Sequence, residues 1–192
     1  MKDWWSVETY PAMKKLEYIK NNLTNHELDH FYKVLENCWV FINKSLFESG
    51  SYFKSQKIYI HGDFKPDNLV VSNDKINCID LDNSRYEIRE MDFARIARYV
   101  WGWPTEKDWL NRAENFMNGY FQTEENKHKI ISDLLCGSVL IQPFRECIWQ
   151  FEKYISTQES HFFNRMQEEI GFLNSAIPLM DEFELEMERI TH

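Results

Sequence analysis

Apolar and polar positions change period twice along the chain. From residue 13 to 22 (MKKLEYIKNN), and again from Thr24 onward, apolar residues recur at steps of three and four; in the second segment they are Leu28, Phe31, Leu35, Trp39, Ile42 and Leu46. Such spacing places one apolar stripe along a helix. Pro11, after Tyr10, suits a first helical turn, and Thr24 with Glu27 has the form of a capping box. The period then shortens. NLVV, the turn SNDK and INCID predict a short β-hairpin. Helical spacing returns afterwards: MDFARIARYVWG predicts one helix, and Thr105 with Asp108 caps another that runs through Tyr120. A third from about Glu124 is apolar through LLCGSVLI and reads as buried, and Pro143 starts or kinks a fourth. Two more follow from about Ser160 and Met180. The expected fold is mainly α with a small β-hairpin insert. No repeat or linker interrupts it, so the chain reads as one domain: helices over 1–58, a loop and hairpin over 59–82, and a helical region over 83–192.

Composition narrows the class. Of the 192 residues 43% are hydrophobic and 16% aromatic, enough to bury a core and too many for a disordered chain. No run of about 18 apolar residues occurs, and MKDWWSVETYP lacks a basic segment followed by an apolar signal core, so a cytoplasmic protein with no membrane partner is expected. Cys38, Cys78, Cys136 and Cys147 form no CxxC pair and lie in apolar neighbourhoods, which suits reduced core thiols. The net charge of -9 argues against a nucleic-acid groove and suits a cationic small molecule.

The chemistry concentrates in HGDFKPDN, residues 61–68. If the hairpin sets Val70 opposite Cys78 and Ser72 opposite Ile76, Asn68 faces Asp80, with Cβ atoms about 4.5–5.5 Å apart. An amide oxygen and a carboxylate then converge beside the loop carrying Asp63. Hard oxygen donors, few enough to leave room for water and phosphate, suit Mg²⁺. Asp63 can take the proton of an attacking hydroxyl, and Lys65 adds a point charge for a phosphate. The cluster therefore reads as a phosphoryl-transfer site.

HGDFKPDN followed by CIDLDNSR and then MDFARIA resembles the aminoglycoside phosphotransferase and choline kinase-like family. The resemblance implies the helical C-terminal lobe of a protein-kinase-like fold, ATP as co-substrate and Mg²⁺ as cofactor. It implies Asp63 as catalytic base, Asn68 and Asp80 as Mg²⁺ ligands, Asp92 as a brace from the following helix, and His61 as a structural residue of the loop. Lys65 with Pro66 departs from many small-molecule members and is similar to the DxKPxN loop of protein kinases, where the lysine approaches the γ-phosphate. Asp82 is either a further acidic neighbour of the metal or a solvated turn residue.

Kinase-like enzymes also need a glycine-rich loop and a strand lysine in an N-terminal lobe. Here Gly50, Gly62, Gly102, Gly119, Gly137 and Gly171 are scattered, with no GxGxxG. One expectation is a truncated or split phosphotransferase, weak or inactive alone, acting on the hydroxyl of a small, amine-containing substrate. The other is a non-catalytic module that reuses the helical lobe to bind a ligand or protein. Either way an uncovered apolar surface predicts self-association or a separate N-lobe partner, with Trp4 and Trp5 near the contact.

Two other patterns compete. HELDH, residues 26–30, matches a helical zinc signature, but the capping box explains Glu27, Asp29 is charged where such helices are apolar, and Glu36 and Glu48 make unconvincing third ligands. Tyr99, Trp101, Trp103, Trp149, Phe151 and Tyr154 are rings at helical spacing and read mainly as core. Trp101, Trp103, Trp149 and Tyr154 are also candidates for boxing a quaternary ammonium, as in choline-directed members of the resembled family. Glu87, Glu90 and the tail DEFELEMERITH offer charge to an amine.

Overall fold

A computed structural model describes residues 14–15, 17–18, 20–21, 26–48, 50–73, 75–102, 106–122 and 131–191. Trp4, Trp5, Pro11, Thr24, Trp103, Thr105 and Glu124 lie outside the described residues, as do the side chains of His26 and Glu27. The described residues between 14 and 21 are helical.

The chain forms two compact units, one of Met1–Ile42 with Leu140–Pro178 and one of Asn43–Val139 with Leu179–His192. In the first, α1 (His26–Ile42) turns Val34, Leu35, Cys38 and Ile42 inward; Leu35 and Ile42 belong to the anticipated stripe, whose Phe31 and Trp39 are half-buried. Trp39 stacks on Phe144 with centroids 5.6 Å apart, and Phe31 meets Phe163 at 5.9 Å. Each large apolar side chain so buried contributes about 1.5–3 kcal/mol. Pro143 starts no new helix. The expected third and fourth helices are one, α5 (Ser132–Thr157), which carries the proline in its interior and belongs to this unit from Leu140 onward. A proline removes one backbone hydrogen bond there, and the apolar residues on both sides of it, Leu140 to Phe144, are buried tightly enough to hold the helix through the gap. α6 (Ser160–Ala176) completes this unit and buries Met166, Ile170, Leu173 and Ala176.

The second unit holds the chemistry. Its helices are a single turn α2 (Ser51–Lys54), α3 (Glu90–Ile96) with a wider turn over Ala97–Trp101, α4 (Trp109–Phe121) and α7 (Met180–Thr191). Between α2 and α3 run four strands in two antiparallel pairs. β2 (Leu69–Ser72) and β3 (Lys75–Cys78) form the anticipated hairpin. The other pair was not legible in the pattern: β1 (Ile58–Ile60) joins β4 (Arg85–Glu87), Tyr59 opposite Tyr86, and so closes the intervening residues into one loop.

The hairpin register differs from the expected one by a residue. Leu69 faces Cys78 and Ser72 faces Lys75, so Asn68 lies opposite Ile79 rather than Asp80. The cause is local. Pro66–Asn68 forms a 3-10 turn, β2 starts only at Leu69, and the Ile79 N–H donates to the Asn68 carbonyl at 2.9 Å. Two further expectations change. Cys78 is exposed, while the other three cysteines are buried. Glu87 and Glu90 are buried and offer no open charge to an amine; Glu87 accepts from the Tyr52 hydroxyl at 3.0 Å and Glu90 from the Ile131 N–H at 3.3 Å. No helix among the described residues is long and apolar enough to cross a membrane.

Candidate active site

The loop after β1 is shaped by Gly62. Its φ is 82°, and a Cβ there would lie 2.1 Å from the Asn83 carbonyl oxygen, so only glycine fits. The turn aims two successive backbone N–H groups at one carboxylate: His61 donates to Asp92 Oδ2 and Gly62 to Asp92 Oδ1, both at 2.8 Å. Asp92 stands in the first turn of α3. Burial pushes its carboxyl above the ordinary aspartate range, although the two backbone bonds favour the anion.

The His61 ring ties the loop to the hairpin. Its Nδ1 accepts the Asp63 N–H at 3.3 Å, which leaves Nε2 as the donor to the Ile79 carbonyl at 2.9 Å. Ile79 is thereby held at both its N–H, by Asn68, and its C=O, by His61. Asp80 is the next residue, about 3.8 Å further along the Cα trace. Its backbone takes the left-handed conformation (φ 60°, ψ 61°), and it opens the 3-10 turn Leu81–Asn83 that carries Asp82. Both carboxylates are exposed, without a hydrogen bond or ion pair among the described residues.

Asp63 is held by three side chains. Its side chain keeps 12% of its surface exposed. Oδ2 accepts from Asn68 Nδ2 at 3.1 Å and pairs with Lys65 Nζ at 2.9 Å, and Oδ1 faces Arg95 Nε at 3.5 Å. Burial alone would raise its pKa. The Lys65 bond and the Arg95 charge outweigh burial, so the carboxyl sits below its usual range. Asn68 Nδ2 also donates to the Asp63 carbonyl at 2.8 Å. Since both Nδ2 partners are acceptors, the amide orientation is fixed, and Oδ1 is left with no partner among the described residues. Asn68 Oδ1 and the Asp80 carboxylate are hard oxygens on residues linked through Ile79, a donor chemistry that fits Mg²⁺ with the remaining positions taken by water or phosphate.

Two arginines joined the site unannounced. Arg95 lies three residues after Asp92 on α3, hence on the same helix face, and that spacing was the signal available for it. Arg85 donates to the Asn83 carbonyl at 3.2 Å and to the Gly62 carbonyl at 3.5 Å. No spacing rule pointed to it. The aromatic candidates are dispersed by role: Trp101 is fully buried against Phe116 (5.7 Å), whereas Trp149 is exposed beside Phe162 and Tyr154 packs on Phe163, both in the first unit.

A mainly helical fold thus carries an acid–amide loop braced from the following helix, with Asn68 and Asp80 just outside the two hairpin strands. The chain belongs to the phosphotransferase enzyme family, whose family model matches residues 4–127. That match covers every loop and hairpin residue of the site. No curated protein and no solved structure matches the chain.

Proposed function

We propose that this chain is a small-molecule phosphotransferase that moves the γ-phosphate of ATP to a hydroxyl of a small, amine-containing acceptor. The observation that carries the reading is the Asp63 carboxylate, kept ionised between Lys65 and Arg95 and oriented by Asn68. In this reading Asp63 receives the acceptor hydroxyl proton on Oδ2, which Asn68 keeps in place while Arg95 faces Oδ1. Lys65, on a flexible stem and 30% exposed, swings from Asp63 toward the incoming phosphate, which frees Oδ2 as the proton acceptor. Asn68 and Asp80 hold Mg²⁺, which neutralises charge on the phosphoryl group when bound. His61 and Asp92 keep the loop rigid so that these distances persist. The same reading gives the chain slow turnover by itself, because no Gly-x-Gly-x-x-Gly run occurs in it to cover the phosphates, and assigns that part to a separate N-lobe partner or a second copy.

The test is calorimetric titration with Mg²⁺ and ATP, followed by ADP release in the presence of choline, ethanolamine and an aminoglycoside. Magnesium-dependent ATP binding that Asp80→Asn weakens, with turnover that Asp63→Asn lowers by about 10²–10⁴-fold, supports the reading. Absence of ATP binding at millimolar Mg²⁺ refutes it.

A further inference from the structure

Beside the loop lies a cavity of about 640 Å³, lined by His61 and Phe64. Its walls are rings: Tyr59 on β1, Phe64 in the loop, Phe93 on α3, and Phe116 and Tyr120 on α4. Phe93 stands edge-on to both Phe116 (5.8 Å) and Tyr120 (4.9 Å), so the lining is an ordered aromatic frame. His61 and Asp92, the two residues that anchor the loop, also line it. None of Asp63, Lys65, Asn68 or Asp80 lines it, which separates it from the reaction centre. The volume lies inside the range of about 300–1,000 Å³ typical of small-molecule pockets, which are mostly apolar with a few placed polar groups.

Gly119 lies at the exposed rim of the cavity. It sits inside α4, where glycine costs a helix about 1 kcal/mol relative to alanine. Nothing in the backbone asks for it: its φ is an ordinary one, and a Cβ added there would meet no atom within 4 Å.

From the ring frame and the volume, we infer that the cavity is a binding site for a flat, uncharged aromatic molecule, distinct from the phosphoryl-transfer centre. Four of the polar side chains that line it, those of His61, Arg89, Asp92 and Tyr120, are already engaged. Arg89 reaches the Tyr120 hydroxyl at 3.4 Å and the Glu90 carboxylate at 3.8 Å, and both Asp92 oxygens accept backbone N–H groups. A charged ligand would therefore have to displace existing partners, whereas a neutral ring needs none. The site stands on this geometry alone and does not depend on the proposed reaction.

Cys78 provides the reporter, since it lines the cavity and is exposed while Cys38, Cys136 and Cys147 are fully buried. The full chain is alkylated with iodoacetamide under native conditions, with and without 2-naphthol as the probe, and modification at Cys78 is followed by mass spectrometry. Alkylation should slow about threefold at a probe concentration of about twice its Kd, as occupancy dictates. Gly119→Phe should abolish this protection without lowering the melting temperature, and Gly119→Leu serves as a smaller filler if the phenyl ring perturbs folding. A rate at Cys78 indifferent to 2-naphthol up to its solubility limit overturns the inference. So does equal protection in the filled variants, which would put the probe elsewhere.

Discussion

Two side chains decide whether the loop over residues 61–68 keeps its shape. Gly62→Ala places a Cβ against the Asn83 carbonyl at a positive φ, so a loss of about 1–3 kcal/mol in urea unfolding is expected. Asp92→Asn keeps one acceptor oxygen but turns an amide N–H₂ toward a backbone N–H, leaving a donor unsatisfied. The expected cost is about 1–3 kcal/mol, with faster hydrogen exchange at the His61 and Gly62 amides as the local readout. At this scale the sequence was informative where residue type and order suffice. His61, Asp63, Asn68 and Asp92 all came from one short motif and one aspartate downstream, and the structure brings His61, Asp63 and Asn68 together and sets Asp92 on the loop backbone. The Arg95 contribution was hidden because a cation on an amphipathic helix ordinarily faces water, and only the path of α3 turns this one to Asp63.

Among the secondary elements, close approach and shared protons replace motif chemistry. α5 passes so near the wide turn Asn43–Glu48 that a Cβ on Gly137 would lie 2.5 Å from Leu46 Cγ. Gly137→Ala must therefore push Leu46 out of a fully buried position and cost about 1–3 kcal/mol, measurable as a lower urea midpoint at constant slope. Near the start of α5, Asp133 shares a hydrogen bond with Glu184 of α7; that bond, followed by partial burial and the neighbouring Glu188, lifts Glu184 from 4.5 to about 7, with Lys44 opposing. The folded chain thus keeps a proton that the unfolded chain releases. Stability from this pair is complete below about pH 4.5 and is lost as the pH rises to about 7, so Glu184→Gln should flatten that part of the stability–pH curve. The elements themselves were largely readable, since helical period persists over many residues. The hairpin register and the fused α5 were not. A register depends on where the first strand residue falls, which the 3-10 turn at Pro66–Asn68 sets, and a proline is tolerated inside a helix only when packing on both sides holds it.

For the molecule as a whole, the charge of -9 matters for association more than for fold. If the acceptor is an amine cation, its KM should rise as salt screens that charge, by several-fold between about 0.05 and 0.5 M NaCl, while the KM of an uncharged polyol stays constant. By itself the sequence determined the mainly helical class, the hairpin, the acid–amide motif and the phosphotransferase resemblance, because each is written in neighbours a few residues apart. Only the tertiary structure decided that β1 and β4 pair across the site, that Arg95 reaches back some thirty residues to Asp63, and that an aromatic cavity opens beside His61. Those outcomes come from bringing distant segments together, where loop closure and side-chain fit select one arrangement among many that the local pattern allows equally.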